Sequence, residues 1–530
     1  MKTIVNPVLR GFNPDPSIVR VGEDYYLATS TFEWFPGVQL HHSRDLMHWH
    51  LVGQALTRVS QLDLRGIVDS GGVWAPSLSY ADGKFWLIYT NLRSCGAARP
   101  FKDLTIFLTT SPTIDGPWSE PISLNSIGFD PSLFHDDDGT KWLVNMVWDH
   151  RQKGASRFAG IVIQQYDHAT GRLVGPTTRV LKKPGIVEGP NIYKRDDWYY
   201  LMTAEGGTGW EHGIAMARSR TLSGPYEIDP QPFLLTSAHA AKSPLQKAGH
   251  GELVKTPEGE WYLAHLASRP LGEGAGRRCM LGRETCLQKV QWSPDGWLRL
   301  ESGGTLPELK VPAPKGVMLY LLPQPSWRDD FDATTLDPSW NSLRVPVEEH
   351  WASLVARPGW LRLRGRDSLH SFFTQSLVAK RLQSFCCVAE TCLEFEPTHF
   401  TQAAGLICYY DTRTHFYLRV THDEIRGKIL GIALSDDGAY QELAETEFAI
   451  NDWKTCYLRA TIEREALKFF ASPDGSEWRQ IGAIFDATKL SDDYGTALHF
   501  TGAFVGLCAQ DLATAEAKAD FDYFILRSTE

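Results

Sequence analysis

The sequence predicts an all-β protein, a five-bladed β-propeller followed by a β-sandwich, and three observations carry that prediction. A short phrase recurs five times before residue 305: Asn13-Pro14-Asp15-Pro16-Ser17, Trp74-Ala75-Pro76-Ser77, Phe129-Asp130-Pro131-Ser132, Val187-Glu188-Gly189-Pro190 and the degraded Gly249-His250-Gly251-Glu252. Its spacing is about 55–62 residues, long enough for four strands in each unit. Beyond residue 305 the repeat stops while alternating strands continue, which marks a second domain.

Each phrase is followed by an aromatic strand: Tyr25-Tyr26-Leu27, Phe85-Trp86-Leu87, Trp142-Leu143-Val144, Trp198-Tyr199-Tyr200-Leu201 and Trp261-Tyr262-Leu263. Acidic residues and glycine come just before four of them (Gly22-Glu23-Asp24, Asp82-Gly83, Asp138-Gly139, Asp196-Asp197), as a hairpin turn requires. Outer strands are announced by a second phrase that ends on an aromatic residue, at Trp49, Trp118 and Tyr226. Residues 1–305 are therefore assigned to the propeller. Prolines 307, 312, 314, 323 and 325 make 306–326 an ordered linker, since proline removes ladder donors. From 327 to 530, runs such as Trp360-Leu361-Arg362-Leu363 and Phe416-Tyr417-Leu418-Arg419-Val420 alternate as sandwich strands do.

Composition narrows the class of protein. The net charge of −10 argues against nucleic acid and anionic membrane partners. Nine cysteines, odd in number and without CxxC spacing, read as reduced thiols rather than a disulfide or zinc framework. No apolar run has the length of a membrane span, and the start lacks a signal-peptide pattern, so a cytoplasmic location is expected. Ser293-Pro294-Asp295-Gly296-Trp297 and Ser472-Pro473-Asp474-Gly475 resemble the Asp-box turn of sialidases, but the arginine cluster such enzymes need is missing.

In a propeller the first strand of every blade lines the central channel, so the five phrases should converge. Taking Asp15, Ala75, Asp130, Glu188 and His250 as equivalent puts three carboxylates there. Hydrolysis of a glycosidic bond needs one protonated carboxyl and one carboxylate on opposite faces of the sugar. A third can raise the acid's pKa by repulsion. Taken singly, Asp15 and Asp130 also read as turn starters before proline, whereas Glu188 sits among apolar residues where a purposeless charge would be expensive.

The three phrases around Asp15, Asp130 and Glu188 strongly resemble glycoside hydrolase family 43, in its two-domain β-xylosidase branch. The resemblance extends to Phe500-Thr501-Gly502-Ala503-Phe504-Val505-Gly506 and covers nearly the whole chain. It implies a concanavalin A-like jelly roll for the sandwich, inversion at the anomeric centre, Asp15 as general base, Glu188 as general acid and Asp130 as pKa modulator. It further implies a pocket walled by Phe32, Trp74, Ala75 and Phe129, with Thr208, His250 and Arg283 at the sugar and Phe504 closing the pocket from the sandwich. Without the resemblance, His250 reads rather as a satisfied core histidine, and Arg283 equally as the ion-pair partner of Glu284 or part of a solvated loop. No cofactor is required by this reading; in some relatives the equivalent of His250 helps hold a hydrated divalent cation such as calcium. Relatives are often dimers or tetramers.

The expected activity is removal of xylose from the non-reducing end of short β-1,4-xylo-oligosaccharides. Two alternatives stand beside it: an enzyme acting mainly on α-L-arabinofuranosides, and a propeller that binds sugar without cleaving it. The sandwich reads either as a lid or as a tethered carbohydrate-binding module. The stretch 271–279 is short for a pocket-side loop of this branch, which bears on the leaving group rather than on catalysis.

Overall fold

Five four-stranded antiparallel sheets form in chain order, each starting on one of the repeated phrases. The first blade runs Ser17–Val21, Asp24–Thr29, Gly37–Ser43 and His50–Leu56. The innermost strands of the other four are Gly72–Ala81, Ser132–His135, Val187–Arg195 and Gln246–Lys255. The fourth sheet carries a short fifth strand, Leu235–Thr236, on its third strand. These assignments come from a computed structural model that describes every residue except 1, 96–99, 153–155, 318–326 and 498. Among the described residues no helix is long and apolar enough to cross a membrane.

The turn residues do what the sequence asks of them. Gly22, Gly83, Gly139 and Asp196 sit at positive φ in the four predicted hairpins, and Gly259 does so in the fifth. The aromatics of the outer phrase fold back on their own turns: Trp49 Nε1 donates to the Leu46 carbonyl at 3.1 Å, Trp118 Nε1 to Ile114 at 3.2 Å, and Tyr226 Oη to Leu222 at 3.1 Å. Neighbouring blades are stitched by the serine of the inner phrase. Ser17 Oγ accepts from Leu78 N at 2.7 Å, and Ser132 Oγ donates to the Pro190 carbonyl at 2.6 Å.

The prolines after residue 305 do not exclude a strand. Lys310–Pro312 pairs antiparallel with Thr3–Val5, so this stretch returns to the start of the chain. Pro323 and Pro325 lie outside the described residues. The C-terminal domain is a sandwich of an eight-stranded and a nine-stranded sheet around one large apolar core. Its nine-stranded sheet ends on a strand the propeller supplies: Trp34–Phe35 pairs with Asn341–Leu343, Phe35 opposite Ser342 and Trp34 opposite Leu343. The two domains thus share a sheet, which rules out the tethered-module alternative.

Candidate active site

The five phrases converge at one end of the channel, each with a residue in the left-handed region. Those residues are Asp15 (φ 53°), Ala75 (38°), Asp130 (51°), Gly189 (53°) and His250 (39°). Gly189, not Glu188, is therefore the fourth blade's equivalent of Asp15, aligned by the proline that follows each of the first four. Glu188 stands one residue earlier, in the position of Pro14, Trp74, Phe129 and Gly249. A side chain at Gly189 would not fit, because a Cβ there would lie 2.8 Å from His250 Nε2. Glycine in the inner ring moves the fourth carboxylate up into the ring of wall residues. A small cavity of about 10 Å³, room for roughly one water, is lined by residues of these phrases, among them Asp15, Asp130, His250 and Glu252.

Asp15 is the most heavily partnered of the three carboxylates. Arg283 Nη1 donates to its Oδ1 at 2.9 Å, Ser30 Oγ donates to Oδ2 at 2.7 Å, and His250 Nδ1 lies 3.4 Å from Oδ1. Ser30 is aimed by the backbone of Ala75, whose N–H donates to Ser30 Oγ at 2.8 Å. Burial alone would raise the Asp15 carboxyl, but Arg283 and His250, with the Ser30 hydroxyl, hold it well below the usual carboxylate range. For His250 burial opposes the charge, yet Asp15, Asp130 and Glu188 lift it to about 9, so it is a cation at neutral pH.

The other two carboxyls go the opposite way. Burial pushes Asp130 up to about 6, His250 pulling it down and Asp15 adding to the rise. Its Oδ2 accepts the Gly189 N–H at 3.2 Å, which ties it to the peptide that carries Glu188. Burial, then repulsion from Asp130, pushes Glu188 up to about 8. One group ionised and one protonated at pH 7, beside each other, is the division of labour that glycoside hydrolysis requires.

Arg283 spans both domains. Nη1 also donates to Thr208 Oγ1 at 3.1 Å and Nη2 to the Phe500 carbonyl at 2.9 Å, so Thr208 acts on the guanidinium. Glu284 is not its partner; that carboxylate pairs with Arg269 at 2.7 Å. The aromatic walls are Phe32, Trp74 and Phe129: Trp74 lies 6.0 Å from Phe32 and 5.4 Å from Phe129 between ring centroids.

Phe504 is not the closing residue. It is fully buried on the first residue of a sandwich strand and stacks on Trp34 at 3.8 Å, where it joins the domains from behind the pocket. The ring that reaches the walls is Phe500, at 5.5 Å from Trp74 and 6.3 Å from Phe32. It begins the same Phe-Thr-Gly-Ala-Phe phrase, so the motif was informative and the choice within it was not.

Two site residues carry no signal in the sequence, Ser30 and Lys102. Lys102 Nζ sits 5.1 Å from the Trp74 ring, 5.6 Å from Phe129 and 4.7 Å from Trp148, a cation held over aromatic faces. Burial lowers its pKa, while its charge draws that of Glu188 downward. Lys102→Met is therefore expected to move the alkaline limb of kcat/KM to higher pH, because Glu188 would keep its proton longer; a pH–rate profile of the variant reads this directly.

Among the described residues no group of three or more His, Cys, Asp or Glu side chains is placed to hold a metal ion. His250 is charged, Asp15 beside it also accepts from Arg283, and Glu252 is taken by the Ser17 hydroxyl and the Ile18 N–H.

A propeller mouth with one ionised and one protonated carboxyl, roofed by a jelly roll, defines a glycoside hydrolase. The chain belongs to glycosyl hydrolases family 43, whose sequence model matches residues 4–298; that of the beta xylosidase C-terminal concanavalin A-like domain matches 328–527. It is 47% identical over 535 residues to a beta-xylosidase of Bacillus subtilis (strain 168), covering 98% of this chain and 99% of that one. A xylosidase/arabinosidase 43B of Humicola insolens is 46% identical over 547 residues, covering 100% and 98%. The crystal structure of a xylan beta-1,4-xylosidase from Bacillus halodurans C-125 superposes with a TM-score of 0.96 at 52% identity, covering 99% of this chain and 100% of that one.

Proposed function

We propose that this enzyme is an inverting exo-β-1,4-xylosidase that releases xylose from the non-reducing end of xylobiose and short xylo-oligosaccharides. The observation that carries the reading is the opposed state of two carboxyls in one pocket: Asp15 held ionised by Arg283 and His250, Glu188 held protonated by burial and Asp130. Asp15 takes a proton from a water whose oxygen attacks the anomeric carbon. Glu188 gives its proton to the glycosidic oxygen as that carbon–oxygen bond breaks, so the leaving chain departs as a neutral alcohol. Asp130 keeps Glu188 protonated between turnovers and fixes its peptide. Exchange with solvent then returns the proton from Asp15 to Glu188.

The Phe500 ring set against Trp74 and Phe32 closes one side of the site, which supports a pocket for a chain end and hence exo-action. The relatives named as xylosidases over the full length support xylose as the terminal sugar. One relative of comparable identity is named for both activities, so arabinofuranoside cleavage is the second reading. Seven buried cysteines outside any disulfide support work in the cytoplasm on fragments that have been imported. The test is hydrolysis of xylobiose beside an α-L-arabinofuranoside, with the first-formed anomer followed by NMR. We expect α-xylose; β-xylose as the initial product would mean retention, and Asp15 would then be a nucleophile.

A further inference from the structure

The pocket's aromatic walls are fastened to a buried peptide that the chemistry does not use. Ser70 is 1% exposed and held at φ 58°. Its carbonyl accepts Trp74 Nε1 at 2.9 Å, and its hydroxyl accepts the backbone N–H of Phe500 at 2.9 Å. Its own N–H donates to Glu33 Oε2 at 3.1 Å, and Glu33 is fully buried directly after the wall residue Phe32. Phe32 in turn exchanges both backbone hydrogen bonds with Val73, at 3.0 and 3.1 Å. Three rings, Phe32, Trp74 and Phe500, therefore hang on the Glu33–Ser70 contact.

The sandwich grips this unit from the other side. Arg344 N–H donates to the Glu33 carbonyl at 3.0 Å, its Nε to the Ile67 carbonyl at 2.7 Å and its Nη2 to Asp69 Oδ1 at 2.7 Å. Thr412 donates its hydroxyl to the other oxygen of Asp69. A buried carboxyl without a catalytic task is costly, and one that meets a single guanidinium together with a second carboxylate more so. Such a group is kept where it fixes geometry.

We propose that Glu33 is a positioning residue of the sugar pocket, acting through Ser70 to hold the propeller wall and the sandwich roof in one register around the terminal sugar. The proposal rests on the exo-xylosidase reading. Burial, with Asp69 adding to the rise and Arg344 opposing it, pushes the Glu33 carboxyl up to about 8, so glutamine is its nearest mimic at neutral pH.

Ser70→Ala deletes the hydroxyl under Phe500 and leaves the carbonyl that holds Trp74. It is expected to raise KM for xylobiose about 5- to 20-fold while kcat falls less than about threefold, the mark of lost binding rather than lost chemistry. The inhibition constant of free xylose should rise with KM, and the melting temperature should stay within a few degrees of wild type. Glu33→Ala should raise KM in the same way, and Glu33→Gln should restore it. An unchanged KM in Ser70→Ala overturns the proposal, as does a Gln variant no better than Ala. So does a fall of kcat that follows a lowered melting temperature, which would mark a merely structural role. Wild-type enzyme that cleaves neither xylobiose nor an arabinofuranoside overturns the functional reading, and this proposal with it.

Discussion

Glu188→Gln should cut kcat/KM for xylobiose by about 10²–10⁴-fold, the usual worth of a general acid, while sparing a substrate whose leaving group needs no proton. A 2,4-dinitrophenyl xyloside should lose less than about tenfold, because its phenolate departs unassisted at neutral pH. The contrast is the diagnostic part. Glu188 touches only the departing oxygen in this mechanism, so its removal hurts in proportion to the basicity of that oxygen. The variant should also lose the alkaline limb of its pH profile, since the group raised to about 8 would be gone. Undiminished turnover of xylobiose would remove Glu188 from the acid's role.

Asp15→Asn should show the opposite pattern, a loss of roughly 10²–10⁴-fold that is the same for xylobiose and the dinitrophenyl xyloside. The attacking water needs its base whatever leaves on the other face. Asparagine keeps one oxygen to accept from Arg283, while its amide nitrogen replaces the oxygen that accepted from Ser30 and must instead donate to Ser30 Oγ. Its neutral amide withdraws the charge that lifts His250, so the imidazole should titrate at lower pH than in wild type. Measuring both substrates on both variants gives four rate ratios, and only opposed acid and base roles give unequal losses in one variant and equal losses in the other.

The propeller was legible because its signals are local. A strand, a hairpin with Gly or Asp at positive φ, and a phrase with proline in a fixed place repeat whether or not the rest of the fold is known. In the fourth repeat charge and register point to neighbouring residues. Carboxylates were aligned by charge, whereas the proline and the left-handed residue before it set the register, and both point to Gly189. What stayed hidden is non-local. Nothing in Trp34-Phe35 announces that it closes a sheet of the other domain, and nothing near Ser30 or Lys102 marks them as neighbours of Asp15 and Glu188. Phe500 and Phe504 are four residues apart in one motif, and only the start of the strand at Phe504 decides which ring faces Trp34 and which faces the sugar.

The shared sheet has a consequence for how the enzyme comes into being on the ribosome. The five blades are complete once about 300 residues have emerged, and at synthesis rates of about 5–20 residues per second Phe500 follows about ten seconds or more later. Trp34–Phe35 meets its pairing strand, Asn341–Leu343, early in that interval, whereas the site lacks the Phe500 ring and the Phe500 carbonyl that accepts from Arg283 until its end. The site is whole only once Phe500 and the strand opened by Phe504 have been made, the latter to stack on a tryptophan some 470 residues earlier in the chain.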